Sequence, residues 1–198
     1  MKDTNFDAKI TDLKYHINGL VPETICQSFI RFFEDNEQSS RPEQSYKYQE
    51  KKIIKDNFKC INLSVLRNLD KKFVKPFDVA KQYLAICISN YVLHIQNKIC
   101  PTFSDALINK TSNIRILRYQ EGENIKDHSD VEDNIRASCT INLNENYEGG
   151  EFRFFGGQIK EKLKTGDAMI FPAEPIWIHG TEPIIKGVRY SINCFLHA

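Results

Sequence analysis

Between Asn113 and Leu196 the chain breaks into six short runs of strand character, NIRILRY, ASCTINLN, GEFRFF, AMIFPA, IWIHG and VRYSINCFL, separated by Gly-, Asp- and Asn-containing breaks. β-Branched and aromatic residues at this density favour pleated backbone, and the breaks supply turns. Regularly spaced short strands imply a sandwich or a barrel, since a strand hides its apolar face only against a second layer. The residues before them follow another period. Ile25, Phe29, Ile30 and Phe33 recur at helical spacing behind Pro22, a good first-turn residue. From Pro76 to about Lys98 a longer stripe of Val79, Tyr83, Leu84, Cys87, Ile88, Tyr91, Val92 and Ile95 predicts a helix packed on the sheet. FKCINLSV (58–65) alternates as a strand does, whereas the polar, Lys-rich stretch 38–58 reads as a loop or an irregular edge. The expectation is an α+β chain, mainly β with supporting helices. Residues 1–198 are expected to form one domain, with 1–111 as helical support and substrate-side elements and 112–198 as the β core.

The composition narrows the partners. A length of 198 residues, 41% hydrophobic and 27% charged, suits a soluble globular domain with a substantial core. A net charge of +1 supplies no field to draw in nucleic acid or an anionic membrane. The apolar runs stop short of a membrane span, and no signal peptide opens the chain. Six cysteines lie scattered without a C-x-x-C pair, several in apolar periodic segments, which predicts buried thiols and a reducing, cytoplasmic setting.

His128-Ser129-Asp130 is followed 49 residues after the aspartate by His179, and ten residues later by Arg189. Two imidazoles and a carboxylate can hold Fe(II) on one triangular face, leaving three positions open for chemistry. Residues two apart in a strand share a face, so His128 and Asp130 can reach one ion if they close a strand or lead out of it. An H-x-D pair alone is weak, and a solvated histidine in an acidic loop is its plain alternative. Arg189 stands in the middle of an apolar strand, and a buried guanidinium needs an anion. That anion is either a structural carboxylate or the carboxylate of a ligand, with Ser191 on the same face as second donor. Tyr119 ends the strand that feeds the metal loop and presents a polar tip. His94 and His197 lack comparable companions. Arg136, Tyr147 and Trp177 are candidates for lining a substrate entrance, Trp177 by sharing a face with His179. The acidic loop with Glu121, Glu123, Asp127, Glu132 and Asp133 either greets a basic peptide or is simply solvated, the second being the plainer account. The Lys-rich stretch 47–59 is a lid or an edge.

As an ordered set, RYQEGENIKDHSD, INLN with YEGGEFRFF, LKTGDAMIFP and HGTEPIIKGVRYSI resemble the iron- and 2-oxoglutarate-dependent oxygenases, specifically the prolyl 4-hydroxylase-like branch, over about residues 112–198. The resemblance implies a double-stranded β-helix (a cupin-like jelly roll) buttressed by N-terminal helices. It implies Fe(II) on His128, Asp130 and His179, and 2-oxoglutarate with its distal carboxylate on Arg189, assisted by Ser191, Tyr119 and the Asn142 position. It also implies O2 as oxidant and ascorbate as a supporting reductant. The implied reaction hydroxylates an unactivated C–H, prolyl first, in a peptide or a free amino acid, releasing succinate and CO2. The chain departs from the branch at Arg189, where lysine is common, at Asn142, where many members carry tyrosine, and at Phe152, where a threonine is usual. Two other functions compete. Nucleic-acid demethylases of the same superfamily typically carry a second arginine six residues beyond the first, where this chain has Phe195. A catalytically silent β-roll would have no need of the full set of ligands plus Arg189.

Overall fold

The N-terminal helix α1, Glu23–Asp35, begins behind Pro22 and buries Cys26, Phe29 and Phe33, three residues of one stripe. The computed structural model describes residues 7–47, 52–131 and 134–198, with the side chains of 44–47 and 52–56 left aside. Glu132, Asp133 and part of the Lys-rich stretch therefore lie outside the described residues. Before α1 runs a short strand β1, Tyr15–Ile17. After it come β2, Arg41–Lys47, and β3, Lys52–Asn62, then a single-turn helix α2, Leu63–Leu66. The predicted long stripe is helix α3, Val74–Lys98, whose buried residues Phe77, Ala80, Leu84, Cys87, Ile88, Tyr91, Val92 and Ile95 keep the three-and-four spacing. No helix among the described residues is long and apolar enough to cross a membrane.

Strands dominate the rest: β4 Lys110–Tyr119, β5 Ile135–Asn142, β6 Glu148–Gly149, β7 Phe152–Phe154, β8 Ile159–Glu161, β9 Ala168–Pro172, β10 His179–Thr181, β11 Ile184–Lys186 and β12 Arg189–His197. They make a seven-stranded sheet in the order β1-β9-β5-β12-β4-β3-β2, a three-stranded sheet β10-β7-β8 and a two-stranded pair β11-β6, with antiparallel pairing throughout. This is a mainly β architecture backed by helices, a double-stranded β-helix.

The large sheet has two unlike faces. Ile61, Ile114, Ile116, Ile141, Ala168, Ile170, Ile192, Cys194 and Leu196 point outward into one apolar core with the helices. Burying an Ile side chain is worth roughly 1.5–3 kcal/mol, so this core carries much of the stability. On the opposite face Phe171 meets Phe154 and Trp177, closing the smaller sheet over the larger.

Several elements decide between expectations or differ from them. Of the two readings of 38–58, loop or irregular edge, the structure shows the edge: much of it lies in β2 and β3, whose pairing with each other compensates for polar composition and shifts register between Pro42 and Gln44. Only His179 and Gly180 of IWIHG are strand; Trp177 ends a turn, its N–H donating to the Glu174 carbonyl at 2.8 Å. Between Gly180 and β12 the chain also forms β11, which pairs with β6. Strands β1 and β8 have three residues each, too few to show a period.

Candidate metal and co-substrate site

His128 lies in the loop after β4, and His179 opens β10. The two are joined by a backbone bridge in which each N–H donates to the other's carbonyl at 2.9 Å. The chain passes closely here. A Cβ on Gly180 would lie 2.7 Å from Asp127 Oδ1 and 2.8 Å from the Ile125 carbonyl, so the position admits only glycine without rearrangement. The two rings come within 4.4 Å, centroid to centroid.

Their tautomers follow from their partners. Nδ1 of His128 is 2.8 Å from the Lys126 carbonyl, and Nδ1 of His179 is 2.9 Å from the Trp177 carbonyl. A carbonyl only accepts, so both Nδ1 atoms carry the proton and both Nε2 atoms turn inward. There they meet Asp130, at 3.1 Å from His128 and 3.4 Å from His179. An imidazole lone pair facing a carboxylate at that distance needs a proton or a metal cation between them. One donor atom from each of His128, Asp130 and His179 lies within 4.8 Å of the other two, so the set can close on a single ion. Burial by itself would raise the Asp130 pKa. Hydrogen bonds from His128 and His179, with their charge, outweigh it and hold the carboxyl well below the usual range. The donors, two neutral nitrogens and one carboxylate with open positions beside them, fit Fe(II).

Sequence reasoning missed what holds Asp130. Ser138 on β5 is 6% exposed, and its hydroxyl donates to Asp130 Oδ2. The signal was present: Ser138, Thr140 and Asn142 alternate with Cys139 and Ile141, a polar stripe on one face of a buried strand.

Arg189 begins β12, directly opposite Tyr119 on β4. It is 2% exposed, and no carboxylate among the described residues lies within ion-pair distance of it. Its Nε donates to Asn142 Oδ1 at 3.2 Å and one terminal nitrogen to the Gly150 carbonyl at 3.1 Å. The rings of Phe152 and Tyr119 flank the guanidinium at 4.8 and 5.4 Å. A desolvated cation held by neutral groups is costly unless an anion completes it. A ligand carboxylate is therefore the partner this pocket fits, in place of a structural one.

The other candidates sort themselves around this pocket. Asn142 is fully buried and donates to the Asn144 and Leu163 carbonyls at 2.6 and 3.0 Å, so it orients Arg189 and has little left for a ligand. The Tyr147 hydroxyl also donates to Asn142 Oδ1, at 3.3 Å, which places Tyr147 behind Arg189 and not at an entrance. Ser191 shares the Arg189 face, but its hydroxyl donates to Asn193 at 3.0 Å, as does Thr140 at 3.1 Å. Trp177 is corrected too: at 2% exposure it packs on Phe154, Phe155 and Phe171 beneath His179. Its ring is core because the turn before β10 breaks the alternation that would have aimed it at the mouth. Arg136 is exposed, next to the buried Ile135 and Ala137. In the acidic loop, Glu121 accepts from Gly187 N–H, Glu123 from Gln120 N–H and Asp127 from Arg153, so these charges brace the fold. His94 reaches the Asp12 carbonyl and His197 reaches Ser112, both away from the metal ligands.

Residues 114–197 match the family model of the 2OG-Fe(II) oxygenase superfamily. That segment, the strand-rich part of the chain, is similar to the superfamily. That family implies Fe(II), 2-oxoglutarate and O2, and the His128–Asp130–His179 cluster is a candidate site for the metal. No curated protein sequence matches. Solved structures share the fold. A prolyl hydroxylase from Trichoplax adhaerens, in complex with a hypoxia inducible factor oxygen degradation domain peptide fragment, aligns with a TM-score of 0.68 at 14% identity, covering 94% of this chain and 84% of that one. A Pseudomonas putida prolyl-4-hydroxylase aligns at 0.62 with 17% identity, covering 98% and 99%. The 2OG complex of a viral collagen prolyl hydroxylase from Paramecium Bursaria Chlorella virus-1 aligns at 0.58 with 15% identity, covering 98% of each chain.

Proposed function

We propose that this chain is an Fe(II)- and 2-oxoglutarate-dependent dioxygenase that hydroxylates a prolyl C–H, in a peptide or as the free amino acid, with release of succinate and CO2. The observation that carries the proposal is the pairing of two half-sites: a converging His-Asp-His donor set, and a buried guanidinium on the same side of the large sheet with no carboxylate among the described residues in ion-pair reach. Fe(II), when bound, supplies oxygen activation coupled to decarboxylation of the co-substrate.

The chain's own groups do the rest. His128, Asp130 and His179 would hold the metal, with Nδ1 of each histidine anchored on a backbone carbonyl and Asp130 steadied by Ser138. Arg189, set by Asn142 and Gly150, would receive the distal carboxylate of 2-oxoglutarate and so orient it. Phe152, Tyr119 and Tyr147 keep water from that end of the pocket. Ascorbate serves as supporting reductant, and six free thiols suit a reducing, cytoplasmic setting. The prolyl substrate is supported by the prolyl hydroxylase folds that align over nearly the whole chain.

The test is succinate release with Fe(II) and ascorbate across proline-rich peptides, free amino acids and methylated oligonucleotides. Peptide- or proline-stimulated succinate with hydroxyproline in the product is the expected result. Complete absence of succinate under every condition would instead leave a binding scaffold.

A further inference from the structure

The inner face of the large sheet runs from Arg189 through Ser191 and Asn193 to Phe195 along β12. Phe195 is the register partner of Ser138, whose hydroxyl holds Asp130, so it stands beside the metal ligands at the end away from Arg189. Across from Asn193, on β4, stands Arg115. Its guanidinium lies over the Phe195 ring at 4.9 Å, and one terminal nitrogen donates to Glu43 on the edge strand β2 at 2.9 Å. The two side chains are 13% and 17% exposed. Glu43 and Arg115 also bear on the thiol of Cys60: burial pushes its pKa up to about 12, Glu43 adding to the rise and Arg115 opposing it. The Arg115 Nε is buried with no acceptor among the described residues. Nothing in the metal or co-substrate pocket uses this pair.

We propose that Arg115, set on Phe195 and neutralised by Glu43, is a substrate-specificity subsite that receives a main-chain carbonyl of a peptide. The inference rests on the prolyl-hydroxylase proposal and names the substrate class within it. A lone arginine at this rim would favour a free carboxylate. Glu43 answers the guanidinium as an ion pair, so Arg115 is not a free cation, while most of its five N–H donors have no partner among the described residues. The wall around it is neutral as well: Asn193, Thr140 and Ser138 face the same side. Neutral surroundings with spare donors fit a neutral acceptor, and an orphan donor states what is missing, since leaving it unpaired is unfavourable by about 1–3 kcal/mol. A peptide carbonyl meets that need without disturbing the ion pair, whereas the carboxylate of free proline would compete with Glu43.

The experiment compares an N-acetylated, C-amidated proline-rich hexapeptide with free L-proline as substrates of wild type, Arg115→Met, Arg115→Lys and Glu43→Gln. Wild type is expected to prefer the peptide. Arg115→Met should raise peptide KM about tenfold, the loss of one charged hydrogen bond, with a smaller change in kcat. The half-saturation for 2-oxoglutarate should move less than about twofold, because Arg189 holds that end. Arg115→Lys should recover part of the peptide KM, which separates donor loss from misfolding. Glu43→Gln, by unmasking the charge, should shift preference toward free proline. A peptide KM within about twofold of wild type in Arg115→Met overturns the subsite alone. Wild-type preference for free proline overturns the peptide assignment. Wild type that hydroxylates neither overturns the prolyl proposal, and the subsite with it.

Discussion

On β12, Ile192, Cys194 and Leu196 point into the helix-backed core, while Arg189, Ser191 and Asn193 point toward the metal ligands. Neighbouring strands repeat the division. Ile114 and Ile116 on β4 face the core and Arg115 and Tyr119 the site; Cys139 and Ile141 on β5 do the first, Ser138, Thr140 and Asn142 the second. Consecutive residues thus serve opposite ends, because the pleat sends alternate side chains to opposite sides. The apolar face secures the sheet, and the polar face can then keep in place a guanidinium with no carboxylate partner among the described residues and three candidate metal ligands.

If the two faces are separable, substitutions on them should separate chemistry from stability. His179→Ala should have the largest effect: metal binding, followed through the fluorescence of the single tryptophan beneath it, and turnover both fall below detection while the protein stays folded. Unfolding of that variant would break the division. Ile116→Ala, on the other face, should lower stability in urea by about 2–5 kcal/mol and leave metal affinity of the folded protein unchanged. Arg189→Leu should raise the 2-oxoglutarate requirement about ten- to a hundredfold. It should also abolish the rise in Tm that 2-oxoglutarate gives the wild type. Ser138→Ala should weaken metal binding by about tenfold or more, at the low end for a partner of a metal ligand, checked by competition with a chelator.

The smallest effect belongs to the helix side. Hydrogen bonds from Arg118 and Lys59 hold the Glu37 carboxyl below its usual 4.5. A carboxyl with a depressed folded pKa stabilises above its unfolded value and loses that contribution as pH falls through the folded one. Glu37→Gln should therefore lower stability slightly at neutral pH and converge on wild type at low pH, which flattens the acid limb below about pH 4.5, as urea midpoints would show. An unaltered acid limb would mean that this exposed pair contributes nothing, as many do.

The fold was legible where one period ran long enough. The stripe of α3 and the alternation of β4, β5 and β12 are each carried by several turns or pleats of consistent pattern. Strands β1, β8 and β11 were not, because three residues carry no period and their existence depends on a distant partner. Trp177 shows the same limit within the site: its predicted face assumed a strand that a turn interrupts. Tyr147, assigned to the entrance, sits behind Arg189 because the path of residues 143–147 folds back on Asn142.

The sequence by itself determined the donor chemistry, the candidate set of His128, Asp130 and His179, and the helix-then-strand order, since these depend on residue type and local period. Which groups meet was decided by the tertiary structure. The bridge between His128 and His179, the hold of Ser138 on Asp130, the isolation of Arg189 and the pairing of Arg115 with Glu43 join residues between 8 and 72 positions apart. Contacts at such separations follow from sheet register, and register is set by the packing of whole faces, which no local stretch of sequence contains.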